Sequence, residues 1–578
     1  MKPKPVELFA ANNPGIVMNL LLFALPLLHS ALAAPAILGL PTVSISSPAA
    51  TITGHAGLKV ESFNGIPFAQ PPTGSRRLKP PQALEEELGD VDATGVARSC
   101  PQFFFTTDMS QFPSSAVGNL LNTPFFQNVT EAGEDCLTVN VRRPVGTKPD
   151  DKLPVLVWIF GGGFELGSTT MYDGAPLVAD SVKLDMPIVF VAMNYRVAGF
   201  GFMPGAEILA DGAANLGLLD QRLALKWVAD NIEAFGGDPD KVTIWGESAG
   251  SISVVDQMVM YDGDNEYNGS PLFRGAIMNS GSVVPAESVD GEKGQAVYDT
   301  VVASAGCQSA EDSLECLRGL EYHDFLDAVN AVPGILSYHS IALSYLPRPD
   351  GTILTKSPEE LVKAGSYASV PFIIGDQEDE GTLFALFQPN LTTTDELVKY
   401  LRDLFFFHAS EDQLQQLLDT YPTITEDGSP FRTGEQNNWY PQFKRLAAIL
   451  GDLTFTLTRR IFLDVAAGVK PDVPAWSYLA SYDHGTPILG TFHGSDLLQV
   501  FYGILPNFAS KSIHSYYLSF VYDLNPNKRS GEEYPEWPTW AGEKKMMQFF
   551  DDRAELLDDD FRNDTYTFLY ENMESFKI

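Results

Sequence analysis

Lys241 to Met260 reads KVTIWGESAGSISVVDQMVM, and the fold is decided here. Val242-Thr243-Ile244-Trp245 is short, β-branched and aromatic, as a buried parallel strand is. Ile252, Val255 and Val259 then recur at helical spacing. A strand must therefore become a helix across Gly246-Glu247-Ser248-Ala249-Gly250. Glycines at both ends let the backbone pass close to its neighbours. The serine between them is held on a strained corner with its hydroxyl above the sheet. A bare G-x-S-x-G arises by chance; its place between strand and helix makes Ser248 the candidate nucleophile.

Working outward, Leu153 to Phe160 (LPVLVWIF) reads as a second buried strand and runs into Gly161-Gly162-Gly163-Phe164. A glycine run can be a plain flexible turn. After this strand it has a chemical use: acyl transfer passes through a tetrahedral oxyanion, which bare backbone N–H groups reach where no side chain intrudes. Gly162, Gly163 and Ala249 are the expected donors. Further strands read at Leu137–Val141, Pro187–Met193, Arg274–Met278, Val370–Gly375 and Trp476–Ser481, with a helix over Leu218–Phe235. Ile52 to Phe68 alternates loosely, like antiparallel edge strands. Such alternation implies a mainly parallel sheet with helices on both faces.

A serine nucleophile needs a base and an acid further along. Asp376, Glu378, Asp379 and Glu380 all follow the Val370–Gly375 strand, and spacing alone does not choose among them. For the base, His493 sits in Gly490-Thr491-Phe492-His493-Gly494, just before a helix that begins near Asp496. It is favoured over His484, while His514, inside an apolar helical run, reads as a helix-surface residue.

The chain of 578 residues carries a net charge of −36, which argues against nucleic acid and against docking on anionic bilayers. Ile16 to Ala34 is apolar, follows Lys2 and Lys4, and ends in the A-x-A pattern Ala31-Leu32-Ala33. It reads as a secretory signal peptide over 1–34, the alternative being a retained anchor; 35–578 is then one catalytic domain, with no later membrane span. Cys100, Cys136, Cys307 and Cys316 suit an oxidising compartment. Three pairings exist, and local pairing, Cys100 with Cys136 and Cys307 with Cys316, closes two surface excursions. Asn128, Asn268, Asn390 and Asn563 head glycosylation sequons, Asn268 being the weakest because Pro271 follows its Ser. Between the first two cysteines, Phe103, Phe104, Phe105, Phe112, Phe125 and Phe126 crowd a polar stretch, and Val117, Leu120 and Leu121 suggest a short amphipathic helix. Such a flap is either packed permanently on the core or a lid, at about residues 100–136, that turns its apolar face to lipid. Its apolar surface also offers a route to self-association.

Taken together, the Gly246–Gly250 elbow, Gly161-Gly162-Gly163-Phe164, Glu134-Asp135-Cys136-Leu137, Phe235-Gly236-Gly237-Asp238-Pro239 and Asp379-Glu380-Gly381 resemble the type-B carboxylesterase/lipase family. The likeness is strongest to fungal sterol esterases and extracellular yeast-type lipases, through Cys100-Pro101-Gln102 and Leu489-Gly490-Thr491-Phe492-His493 among others. The resemblance implies an α/β-hydrolase fold: a large, mainly parallel central sheet with helices on both faces and a disulfide-based lid. It implies Ser248, Glu380 and His493 as catalytic triad, Gly162, Gly163 and Ala249 as oxyanion hole, and both disulfides as paired above. It also implies an Arg77–Glu134 ion pair near the lid base and glycosylation at Asn390. Neither metal nor cofactor is expected. The implied activity is secreted, extracellular hydrolysis of long-chain acyl esters (sterol esters and triacylglycerols) through an acyl-enzyme, at a lipid–water interface. The alternatives are a soluble carboxylesterase acting on short or aromatic esters, and a catalytically inactive adhesion-type member.

Overall fold

The computed structural model describes residues 40–104, 132–501 and 506–578, apart from the side chain of Leu498. Its large sheet is built from β1 (His55–Ala56), β2 (Val60–Pro67), β3 (Thr138–Pro144), β4 (Leu153–Ile159), β5 (Val189–Met193), β6 (Gly237–Glu247), β7 (Gly275–Asn279), β8 (Phe372–Gln377), β9 (Ala475–Ala480), β10 (Lys545–Phe549) and β11 (Ala554–Asp558). Among the described residues these eleven strands lie side by side in the order β11-β10-β9-β8-β7-β6-β4-β5-β3-β2-β1. From β10 through to β5 every pairing is parallel. The edges are antiparallel: β11 on one side, and β3, β2 and β1 on the other.

The parallel interior explains why the sequence reads as continuous apolar runs there. A strand covered on both faces has no polar side to alternate with, and β5, β7, β8 and β9 are buried at every position. β6 begins at Gly237, five residues before its apolar run, because Gly237 pairs with Leu153 ahead of a register shift. The stretch from Ile52 to Phe68 divides in two. β1 and β2 join the large sheet, while Ala49–Thr53 pairs with Thr42–Ser46 and Gly89–Asp92 in a separate small sheet.

Side-chain alternation along β6 assigns the two faces. Trp245 points to one side, where its ring meets Trp158 at 4.5 Å, Phe501 at 4.9 Å and Tyr517 at 5.9 Å. Helix α3 (Phe508–Asp523), which carries Tyr517, packs there. The other side is covered by α2 (Ala249–Gly263), backed by α1 (Leu216–Asn231). His514 of α3 is a correction to the sequence reading: it is buried, and its Nε2 lies 2.7 Å from the Val500 carbonyl oxygen. α3 is covered nearly all round, so a polar residue on it satisfies itself with a backbone acceptor.

Both disulfides join the cysteines by local pairing, Cys100 with Cys136 and Cys307 with Cys316. Arg77 grips Glu134 with two hydrogen bonds, Nε to Oε1 at 2.6 Å and Nη2 to Oε2 at 2.9 Å. Of the aromatic flap, Phe103 is buried and Phe104 exposed. Residues 105–131, with Phe105, Phe112, Phe125, Phe126, Asn128 and the stretch Val117–Leu121 expected as a short helix, lie outside the described residues, as does the segment 1–34 read as a signal peptide. Leu40–Ile578 forms one compact unit. Among the described residues no helix is long and apolar enough to cross a membrane.

Candidate active site

The turn from β6 into α2 is as abrupt as its sequence demands. Ser248 has φ 57° and ψ −127°, a conformation that costs an L-residue about 1–3 kcal/mol and persists only where packing enforces it. The enforcement is visible. A Cβ on Gly250 would stand 2.1 Å from the Ile159 carbonyl oxygen, so only glycine lets the helix start against the end of β4. The Ser248 N–H donates to the Asn279 carbonyl at 2.9 Å, and its carbonyl accepts the Ile252 N–H at 3.0 Å. Ser248 is only 4% exposed, and its hydroxyl meets one imidazole: His493 Nε2 lies 2.7 Å from Oγ.

His493 is fully buried, in the loop between β9 and the short helix Ser495–Val500. Its Nδ1 is 2.5 Å from Glu380 Oε2, and Glu380 Oε1 accepts the Gln377 N–H at 2.7 Å. Three residues far apart in sequence thus form a chain from hydroxyl to imidazole to carboxylate. The other carboxylates at the end of β8 and just beyond it have different partners. Asp376 pairs with buried Arg459 at 2.7 Å, and Glu378 with half-exposed Arg432 at 2.5 Å. Asp379 turns away and binds the histidine loop: its N–H donates to the Thr491 carbonyl at 2.9 Å, and its Oδ2 accepts the Thr491 N–H at 3.0 Å. Its Oδ1 takes the Ser429 hydroxyl and the Phe431 N–H. This bracing was not legible in the sequence, where Asp379 was one more competitor for the histidine. His484 is half-buried on the same loop, and His493, not His484, is the ring that reaches Ser248.

The glycine turn after β4 lies against the elbow. A Cβ on Gly161 would come within 2.8 Å of the Ser248 Cβ. Gly162 has φ 117°, open to glycine alone, and its carbonyl accepts the N–H groups of Glu165 and Leu166, each at 3.1 Å. Gly163 and Ala249 line one cavity with Ser248. As the first residue of α2, Ala249 has an N–H with no acceptor within the helix. Among the described residues no group of three or more His, Cys, Asp or Glu is arranged to hold a metal. A hydroxyl coupled to a buried imidazole, beside a glycine turn and a helix N-terminus, has the parts that acyl transfer uses.

A profile of the carboxylesterase family matches residues 42–569. The chain belongs to that family. Its carboxylic ester hydrolase character is shared with fungal relatives. A Secreted lipase 1 of Botryotinia fuckeliana is 62% identical over 539 residues, covering 93% of this chain and 94% of that protein. A Secreted triacylglycerol lipase LIP1 of Gibberella zeae is 60% identical over 532 residues, covering 92% of this chain and 90% of that protein. In architecture, the solved structure of Aspergillus niger EstA matches with a TM-score of 0.77 at 27% identity, over 93% of this chain and 99% of that one.

The electrostatics of this carboxylesterase's site are set by burial. Glu247, beside the serine, is 1% exposed; burial, then Asp496 and Glu380, push its carboxyl well above the usual range. Burial likewise lifts Asp496 to about 6, against the Asn279 amide that donates to it at 2.8 Å. Asn279 is a further residue the sequence did not single out: its side-chain oxygen also accepts from Trp245 Nε1 and the Tyr517 hydroxyl. Glu165, just past the glycine turn, accepts the Ile335 N–H at 2.8 Å and is lifted by burial to about 8. The cavity at Ser248 is walled mainly by apolar side chains such as Ile252, Ile335, Leu343, Phe384 and Phe455. A second apolar cavity shares Val284, Ile341, Thr454 and Ile578 with the first and continues to Phe405, Leu569 and Met573. Of the sequons, Asn268, Asn390 and Asn563 are exposed.

Proposed function

We propose that this carboxylesterase is a secreted lipase that cleaves long-chain acyl esters, triacylglycerols and sterol esters, through an acyl-enzyme on Ser248. The observation that carries this reading is the apolar lining that extends from the serine: two adjoining apolar cavities share four wall residues. His493 takes the Ser248 proton as Oγ attacks the ester carbonyl, and Glu380 steadies the imidazolium through Nδ1. The N–H groups of Gly162, Gly163 and Ala249 receive the oxyanion, each worth about 3 kcal/mol of barrier. Protonated His493 gives its proton to the departing alcohol, and water then attacks the acyl-enzyme by the same route. The fungal relatives, a secreted lipase and a secreted triacylglycerol lipase by name, support lipid esters and secretion, and the two disulfides fit an oxidising compartment. Asn268, Asn390 and Asn563, all exposed, and Asn128 are the proposed glycan acceptors. The 100–136 segment is proposed as the lid that meets the lipid interface.

A substrate panel from acetate esters to trioleoylglycerol and cholesteryl oleate, each below and above its solubility limit, tests the reading. Rates should climb with chain length and rise again once an interface is present. Preference for short soluble esters with no interfacial gain would instead make the protein a soluble carboxylesterase. Ser248→Ala should fold and lose activity by roughly a millionfold; retained turnover would remove Ser248 from the chemistry.

A further inference from the structure

Asp256 takes no part in the chemistry above, yet it helps to wall the cavity at Ser248. Ile252 and Asp256 are four residues apart on one face of α2, Ser248 stands at the N-cap of that helix, and all three line that cavity. The Asp256 side chain is 1% exposed, and neither of its carboxyl oxygens has a hydrogen-bond partner among the described residues. Ile252, Val284, Leu346, Pro347 and Pro358 line the same cavity. Nothing local asks for an acid there: aspartate is a poor mid-helix residue, and an unpaired buried carboxyl costs stability that an apolar side chain would not. Burial pushes its pKa well above the usual carboxylate range, so the group is held neutral, with one O–H to donate and an oxygen to accept.

We propose that Asp256 is a specificity-determining residue that recognises a hydroxyl carried part-way along the acyl chain. The preferred substrates are then esters of mid-chain hydroxylated fatty acids. This rests on Ser248 attacking the ester carbonyl, as argued above. Eight residues at 1.5 Å each place Asp256 about 12 Å along the helix from Ser248. An extended chain advances about 1.2 Å per bond, a third of the span of one extended residue, so the carboxyl meets the chain about ten bonds from the ester carbon. A hydroxyl there accepts the Asp256 O–H and donates to its other oxygen, pairing the group completely. A plain methylene chain leaves the acid buried and unpaired, and a site built around a hydrogen bond rejects a ligand that lacks it.

The test compares kcat/KM for esters of stearate and of its derivative hydroxylated about ten carbons from the carboxyl. A butyrate ester, too short to reach Asp256, is the control. The wild-type enzyme should prefer the hydroxylated chain by about tenfold or more. Asp256→Leu should abolish that preference chiefly by accelerating plain stearate, with butyrate turnover unchanged, and Asp256→Asn, which can still donate and accept, should keep it. Equal rates on the two chains in the wild type, or an undiminished preference in Asp256→Leu, overturn the proposal. Failure on all three esters would instead defeat the ester-hydrolase mechanism itself, so the two outcomes are distinguishable.

Discussion

Four carboxylates crowd the end of β8 and the residues after it, and their partners separate their parts. Glu380 alone touches the histidine, through Nδ1. Glu247 lies 3.5 Å from Nε2 of the same ring, but burial, Asp496 and Glu380 hold it in the neutral form. Glu380→Gln removes the charge that stabilises an imidazolium, and kcat should fall by about a thousandfold to ten-thousandfold. Glu247→Gln exchanges a neutral acid for a neutral amide and should keep most of the activity. Steady-state kinetics on one soluble ester checks both, and equal losses would show that the two acids share the task.

At the level of the element, the glycine turn depends on the acid that follows it. The Glu165 carboxyl accepts the Ile335 N–H, and its backbone N–H donates to the Gly162 carbonyl, so one residue carries both a buried acid and a tie to the turn. Burial raises this group from 4.5 to about 8. Between those values the folded protein keeps a proton that the unfolded chain has released. Its contribution to stability is therefore whole below pH 4.5 and is lost as pH rises through about 8. The loss is at most about 1.4 kcal/mol per pH unit. Glu165→Gln preserves an acceptor for Ile335 and has no proton to lose. Its melting temperature, compared with the wild type at pH 5, 6.5 and 8 on the scale of that shift, should gain steadily toward the alkaline end. A constant difference would mean that Glu165 titrates normally.

Across the whole molecule, the far half of the sheet is tied together by one buried cation. Arg459 is completely buried, and its guanidinium binds Asp376 on β8 and Asp559 just beyond β11. Asp559 also accepts from Arg460 and from Trp540 Nε1. Such a network contributes little against an apolar equivalent, but removing one partner leaves a buried charge exposed to no solvent. Asp559→Ala should lower unfolding free energy by about 3–5 kcal/mol, read as a drop in the urea midpoint. Because Asp376 leads the segment that carries Glu380, activity should be lost at lower urea as well. An unchanged midpoint would mean that the cation is satisfied by Asp376 alone.

Local chemistry alone determined the elbow, the glycine turn and the buried strands of this protein. A strained corner, a bare backbone and a strand without a polar face each restrict residue types within a few positions, so they show in one dimension. His493 was favoured for the same reason, its glycine flanks and the helix after it. The choice among Asp376, Glu378, Asp379 and Glu380 was not local, and reading the residues alone left it open. Only the packing of β8 against β9 and the ties from Asp379 to Thr491 bring one carboxylate to the imidazole. The burial of His514, the braces at Asn279 and the unpaired carboxyl of Asp256 were likewise decided by tertiary structure. In each case the deciding quantity is which atoms from distant segments share a volume closed to water, and no spacing along the chain encodes that.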